Sequence, residues 1–111
     1  MKVYEIAETI GLQLVSGNGG VNNTVRDGYV SDLLSDVMGN AQQGDIWVTL
    51  QTHKNIVAVA SLKELAAIVI IGGNKPNPDA IEQSNNENIP MFITSKSNFE
   101  ISGLLFQALR K

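Results

Sequence analysis

The run Ala67-Ile68-Val69-Ile70-Ile71 sets the tightest limit on what this chain can become. It is wholly apolar and, after its first residue, wholly β-branched. Such a run suits a strand covered on both faces, as in a parallel sheet flanked by helices. The residues on either side agree. Ile46-Trp47-Val48-Thr49-Leu50 and residues 91–94 read as two further strands. Residues 55–65 read as a helix, with Asn55 as its cap and a second start signal at Ser61-Leu62-Lys63-Glu64. Asn77-Pro78-Asp79 is a cap, a proline suited to the first helical position, and an acid in the first turn. Ser97-Asn98-Phe99-Glu100 is a capping box, opening a helix whose apolar face is Ile101, Leu104, Leu105, Ala108 and Leu109. Arg110 and Lys111 fall where they complement its dipole. From Asp45 onward the order is strand, helix, strand, helix, strand, helix. That order predicts crossover connections and a three-layer α/β/α fold with a mostly parallel sheet.

The first 45 residues are less regular. Val3, Ile6, Ala7 and Ile10 recur at helical spacing, and Gly11 ends that helix. A short strand follows around Leu12 and Leu14. Gly17-Asn18-Gly19-Gly20 reads as a turn, since it precedes a strand and lacks the lysine and hydroxyl of a phosphate-binding loop. Residues 25–30 read as a strand, with Gly28 a bulge or a point of close approach. Ser31 is predicted to cap a helix, with Asp32 in its first turn and Leu33, Leu34, Val37 and Met38 as its buried stripe. Asp32 and Asp36 then read as a solvated helix face rather than, with Asp27, a magnesium site.

Composition narrows the function. With 111 residues the chain is one domain, 1–111. It has 11 acidic and 8 basic residues, which argues against nucleic-acid binding. No cysteine is present, so disulfides, thiolate metal sites and cysteine nucleophiles are excluded. A single histidine, His53, cannot build a multi-histidine site. No cofactor motif appears, and no GxSxG elbow. Glu5 and Glu8 interrupt residues 1–10, leaving no signal core, and no apolar run approaches a membrane span. The chain is expected in the cytoplasm, without membrane partners.

In open α/β sheets ligands bind beyond the carboxyl ends of the strands. Three such ends look alike here. They lead into Gln51-Thr52-His53-Lys54-Asn55, Gly72-Gly73-Asn74-Lys75 and Ser95-Lys96-Ser97. Each supplies small polar residues, one lysine and a following helix N-terminus, which favours anions. The predicted site is therefore Thr52, His53, Lys54, Asn55, Gly72, Gly73, Lys75, Ser95, Lys96 and Ser97, holding a small anion or nucleotide. His53 suits a surface or capping role better than that of a general base. Phe99, Leu104, Leu105 and Phe106 lie on more than one side of the last helix, so a homodimer or partner surface is expected there.

Residues 28–106 resemble a DRTGG domain. The matching stretches are Gly28-Tyr29-Val30-Ser31, Gly44-Asp45-Ile46-Trp47-Val48-Thr49, Asn55-Ile56-Val57-Ala58-Val59-Ala60, Ile70-Ile71-Gly72-Gly73 with Pro76 beyond, and Ile89-Pro90-Met91-Phe92. Residues 3–17 are similar to the opening of HPr kinase/phosphorylase N-terminal domains, which share that fold. The resemblance implies an accessory, regulatory module rather than an enzyme. In that family it occurs beside CBS pairs in inorganic pyrophosphatases and in some phosphotransacetylases, and helps the chain dimerise. Short stand-alone members, the most similar, are encoded near iron-only hydrogenases, which implies a link to that metabolism. Where the family has Asp-Arg-Thr with glycines, this chain has Gln51-Thr52-His53-Lys54-Asn55, with Lys54 in place of the arginine's charge.

Overall fold

The alternation expected beyond Asp45 is present. A computed structural model of the chain describes residues 1–110; Lys111, and its expected place at the end of the last helix, lie outside the described residues. The helices are α1 (Val3–Ile10), α2 (Leu34–Asn40), α3 (Asn55–Lys63), α4 (Pro78–Glu87) and α5 (Asn98–Leu109). The strands are β1 (Gln13–Ser16), β2 (Gly28–Val30), β3 (Ile46–Thr49), β4 (Ala67–Ile70) and β5 (Met91–Ile93), and they form one sheet in the order β1-β5-β4-β3-β2. β2 to β5 run parallel, and β1 closes one edge antiparallel to β5.

The two faces of the sheet carry separate cores. Trp47, Ile68, Ile70 and Met91 pack with Val37, Ile56, Val57, Ala60 and Ala80 from α2, α3 and α4. Ile46, Val48, Ala67, Val69 and Phe92 pack with Val3, Ile6, Ile10, Ile101, Leu105 and Ala108 from α1 and α5. All four residues of β4 are buried, which is why its sequence carries no polar alternation. Gly11 ends α1 in the left-handed region at φ 72°, and Asn77 opens α4 with Pro78 at its first position. Ser97 caps α5 by accepting from the Glu100 N–H. At the other end of α5, Arg110 reaches Asp27 at 3.2 Å and lies over the Phe106 ring.

Several local expectations need correction. The strand predicted over residues 25–30 is confined to Gly28–Val30, because Val25 and Arg26 spend their N–H groups on Met1 and Gly44. Ser31 does not cap α2: its hydroxyl accepts from the Leu33 N–H, and the helix starts at Leu34. Asp32 lies outside that helix, held by the Thr49 hydroxyl at 2.9 Å and the Leu50 N–H at 2.8 Å. Leu33, 65% exposed, and Met38 therefore drop out of the buried stripe, which reduces to Val37 with Leu34 beside it. α3 runs unbroken through Ser61 to Lys63, and Asn55 is its first residue rather than its cap. Gly28 does mark a close approach: a Cβ there would stand 3.0 Å from Leu105 Cδ2.

Candidate anion-binding crevice

Parallel β3, β4 and β5 deliver their outgoing loops to one rim, so Lys54, Lys75 and Lys96 share an edge of the sheet. The β3 and β4 loops lead to α3 and α4 on one face, whereas the β5 loop leads to α5 on the other. The helices that follow β4 and β5 therefore leave for opposite faces. In open α/β sheets a crevice forms where successive connections part in this way. A cavity of 270 Å³ lies there, lined by Gln13, Gly73, Asn74, Lys75, Ile93, Thr94 and Ser95.

Backbone hydrogen bonds fix the rim. Gly72 donates its N–H to the Lys96 carbonyl and Gly73 to the Thr94 carbonyl, each at 2.9 Å. Both glycines hold positive φ, 70° and 79°, which suits residues without a Cβ. Lys96 in turn donates its N–H to the Thr94 hydroxyl. Asn77 donates to the Thr52 carbonyl at 3.0 Å, joining the third loop to the other two. The Gly72 and Gly73 amides thus brace loop against loop. The groups that remain to meet a ligand are the Lys75 ammonium, the Ser95 hydroxyl and the Gln13 carboxamide.

Of the predicted site residues, Gly73, Lys75 and Ser95 meet in this cavity. Gly72, Lys96 and Ser97 belong to its supporting loops. Thr52, His53, Lys54 and Asn55 sit on the neighbouring loop outside its lining. His53 is exposed, and its Nδ1 accepts from the Asn55 N–H at 3.2 Å, the capping role expected for it. Among the described residues no carboxylate pairs with Lys54, Lys75 or Lys96; the two ion pairs are Arg26–Asp45 and Arg110–Asp27. Asp79 and Glu100, in the first turns of α4 and α5, are the acidic groups nearest those helix starts in sequence. Gln13, Asn74, Ile93 and Thr94 escaped the sequence reading. Gln13 enters only because β1 pairs antiparallel with β5, in register with Ile93, and no local signal fixes that pairing.

Asp27, Asp32 and Asp36 do not converge; each takes its own partners. Hydrogen bonds from Ser31, Tyr29 and Asn40 hold the Asp36 carboxyl below its ordinary range, and the same Asp36 raises the Tyr29 phenol. The Gly28 N–H, then Arg110, lower Asp27. As pH falls, the unfolded chain takes up protons at these carboxylates first. Their stabilisation is whole above the ordinary carboxylate range and drains away through and below it. As pH rises, the unfolded chain loses its tyrosine proton first, so the Tyr29 contribution fades above about pH 10. Thermal melting across pH should therefore sag at both ends, and Tyr29→Phe should flatten the alkaline side. An alkaline limb unchanged in that variant would contradict the assignment.

No protein-family model matches the chain, and no curated protein does. Among solved structures, it is similar to the CBS and DRTGG domains of the regulatory region of Clostridium perfringens pyrophosphatase, complexed with the activator diadenosine tetraphosphate. The TM-score is 0.78 and the identity 20%, over 97% of this chain. This chain spans 47% of that one, so the likeness covers about half of the regulatory region. At this identity the likeness is one of fold, and the fold is DRTGG-like.

Proposed function

We propose that the chain is a non-catalytic, ligand-sensing regulatory domain that binds the phosphate of a small anion or nucleotide at the crevice between the β4 and β5 loops. The observation that carries this reading is a cavity beside the braced β4 and β5 loops, where α4 and α5 leave for opposite faces, with an unpaired Lys75 and the Ser95 hydroxyl at its wall. Lys96 and Lys54, on the same rim, add positive potential to an otherwise acidic chain. The fold shared with a regulatory region that binds a nucleotide activator supports the same class of ligand. A role in the cytoplasm, with residues 1–111 as one domain, fits this reading. None of the helices among the described residues is long and apolar enough to cross a membrane. The tie to iron-only hydrogenase metabolism rests on the family resemblance alone.

Calorimetric titration with diadenosine tetraphosphate tests the reading. Saturable binding is expected, weakened about tenfold by Lys75→Ala, as for the loss of one charge-assisted hydrogen bond, and less by Lys96→Ala, which removes only positive potential at the rim. Absence of binding, or equal affinity in the doubly substituted chain, would remove it.

A second reading is favoured by one observation. Phe99 is 89% and Phe106 60% exposed on α5, and Val30 on the adjoining edge strand is exposed as well. Such a surface fits a protein-interaction or assembly factor, or a homodimer, without a small ligand. Concentration-dependent sedimentation lost on Phe99→Ser with Phe106→Ser would favour it.

A further inference from the structure

We propose, on observations independent of the carboxyl rim, that the groove at the amino ends of β3, β4 and β5 binds a small organic cation: a protonated amine or guanidinium on an apolar stem. The groove encloses 470 Å³, larger than the 270 Å³ crevice at the other rim and within the range of small-molecule pockets. Four separate segments wall it: residues 23–24 ahead of β2, the turn before β3, the end of α3 and the end of α4.

Its chemistry has one sign. α3 and α4 both finish here, at Glu64 and Asn88, and helix C-termini present free carbonyls and partial negative charge. Two carboxylates, Glu64 and Glu87, stand on the walls, and among the described residues no lysine or arginine lines the groove. Both are met only by neutral donors. Gln43 Nε2 donates to Glu64 at 3.1 Å, while the Ser61 hydroxyl at 3.2 Å and Gln83 Nε2 at 3.1 Å donate to Glu87. Among the described residues neither carboxylate forms an ion pair. The basic groups nearest in sequence or contact are Lys63, beside Glu64, Lys2, whose ammonium is bonded to the Thr24 hydroxyl at 3.1 Å, and Arg26, which touches Gly44 and whose guanidinium is paired with Asp45. The floor is apolar, made by buried Leu65, Ala66 and Ile89.

A cation entering this groove gains charge-assisted hydrogen bonds to Glu64 and Glu87, and its methylene stem covers the apolar floor. A phosphate meets two carboxylates and two helix C-termini there. The groove and the carboxyl rim therefore select opposite charges, and failure at one does not imply failure at the other.

Titration of the isotope-labelled full chain with agmatine, followed by amide NMR at constant ionic strength, tests the proposal. A blocked alanine-arginine-alanine tripeptide forms the second arm. Saturable shifts are expected at Gln43, Gly44, Glu64, Ala66 and Asn88. The combined variant Glu64→Gln, Glu87→Gln, with its melting temperature checked, should bind at least about tenfold more weakly. Tighter binding of agmatine assigns the groove to a free amine or guanidinium, and tighter binding of the tripeptide to a side chain of a partner protein. Unmoved amides with both compounds, or equal affinity in the variant, would overturn the proposal.

Discussion

Gly20→Ala should destabilise the chain by about 3 kcal/mol or more, the scale of forced overpacking in a close-packed site. The glycine-rich turn at residues 17–20 lies directly on the segment 88–90 that leads into β5. A Cβ on Gly20 would collide with the Asn88 carbonyl and stand 2.7 Å from Pro90 Cδ. One on Gly17 would collide with the Ile89 carbonyl, and Gly17 also donates its N–H to Asn85 Oδ1 at 2.8 Å. The obstacles are backbone and a proline ring, neither of which swings aside. The melting temperature should drop by roughly 10–15 °C for a domain of this size. Gly39→Ala and Gly103→Ala are the controls, since both glycines are helical and a Cβ on either meets nothing within 4 Å. These should stabilise by about 0.5–1 kcal/mol through helix propensity. A fall of less than about 1 kcal/mol for Gly20→Ala would mean that the turn does not pack as described.

Trp47→Ala should cost about 3–5 kcal/mol, a large share of the total stability of a small domain. Trp47 is the largest fully buried side chain, at the centre of the core shared by α2, α3 and α4. Its indole N–H donates to the Ser31 carbonyl at 2.8 Å, tying β3 to the segment that leads into α2. Substitution therefore removes both packing and one of the two bonds that tie Ser31 to β3, the other being the Ser31 N–H to the Val48 carbonyl. Trp47→Phe keeps most of the packing and should lose only part of that stability, leaving the Ser31 carbonyl to water. Denaturation followed by circular dichroism measures both, because the chain holds no second tryptophan to report by fluorescence. A loss below about 1 kcal/mol in the alanine variant would contradict this placement.

The parts of the fold that were legible in the sequence are those governed by local chemistry. The unbroken apolar run of β4, the Asn77-Pro78 start of α4, the Ser97 cap of α5 and the Gly11 stop of α1 each depend on residues within a few positions. The parts that were not legible depend on distant partners. Asp32 looks like a first-turn acid until Thr49 and Leu50, at the end of β3, capture it and push the start of α2 forward to Leu34. The glycines at 17–20 look like slack, and their need for bare backbone appears only when residues 88–90 lie against them.

The candidate site divides in the same way. Its rim followed from strand order alone, once the strands were read as parallel. The use of the Gly72 and Gly73 amides did not, because the Lys96 and Thr94 carbonyls that accept from them arrive from another loop. The larger groove at the opposite rim gave no motif, being assembled from the ends of two helices and the turn before a strand.

The central claim is that a phosphate-bearing ligand enters between the β4 and β5 loops. Amide NMR of the labelled chain titrated with diadenosine tetraphosphate tests it most directly. Saturable shifts are expected, clustered at Asn74, Lys75, Ser95 and Lys96, with the amides of Glu64 and Asn88 at the other rim unmoved. A silent titration, or shifts gathered at the other rim, would contradict it.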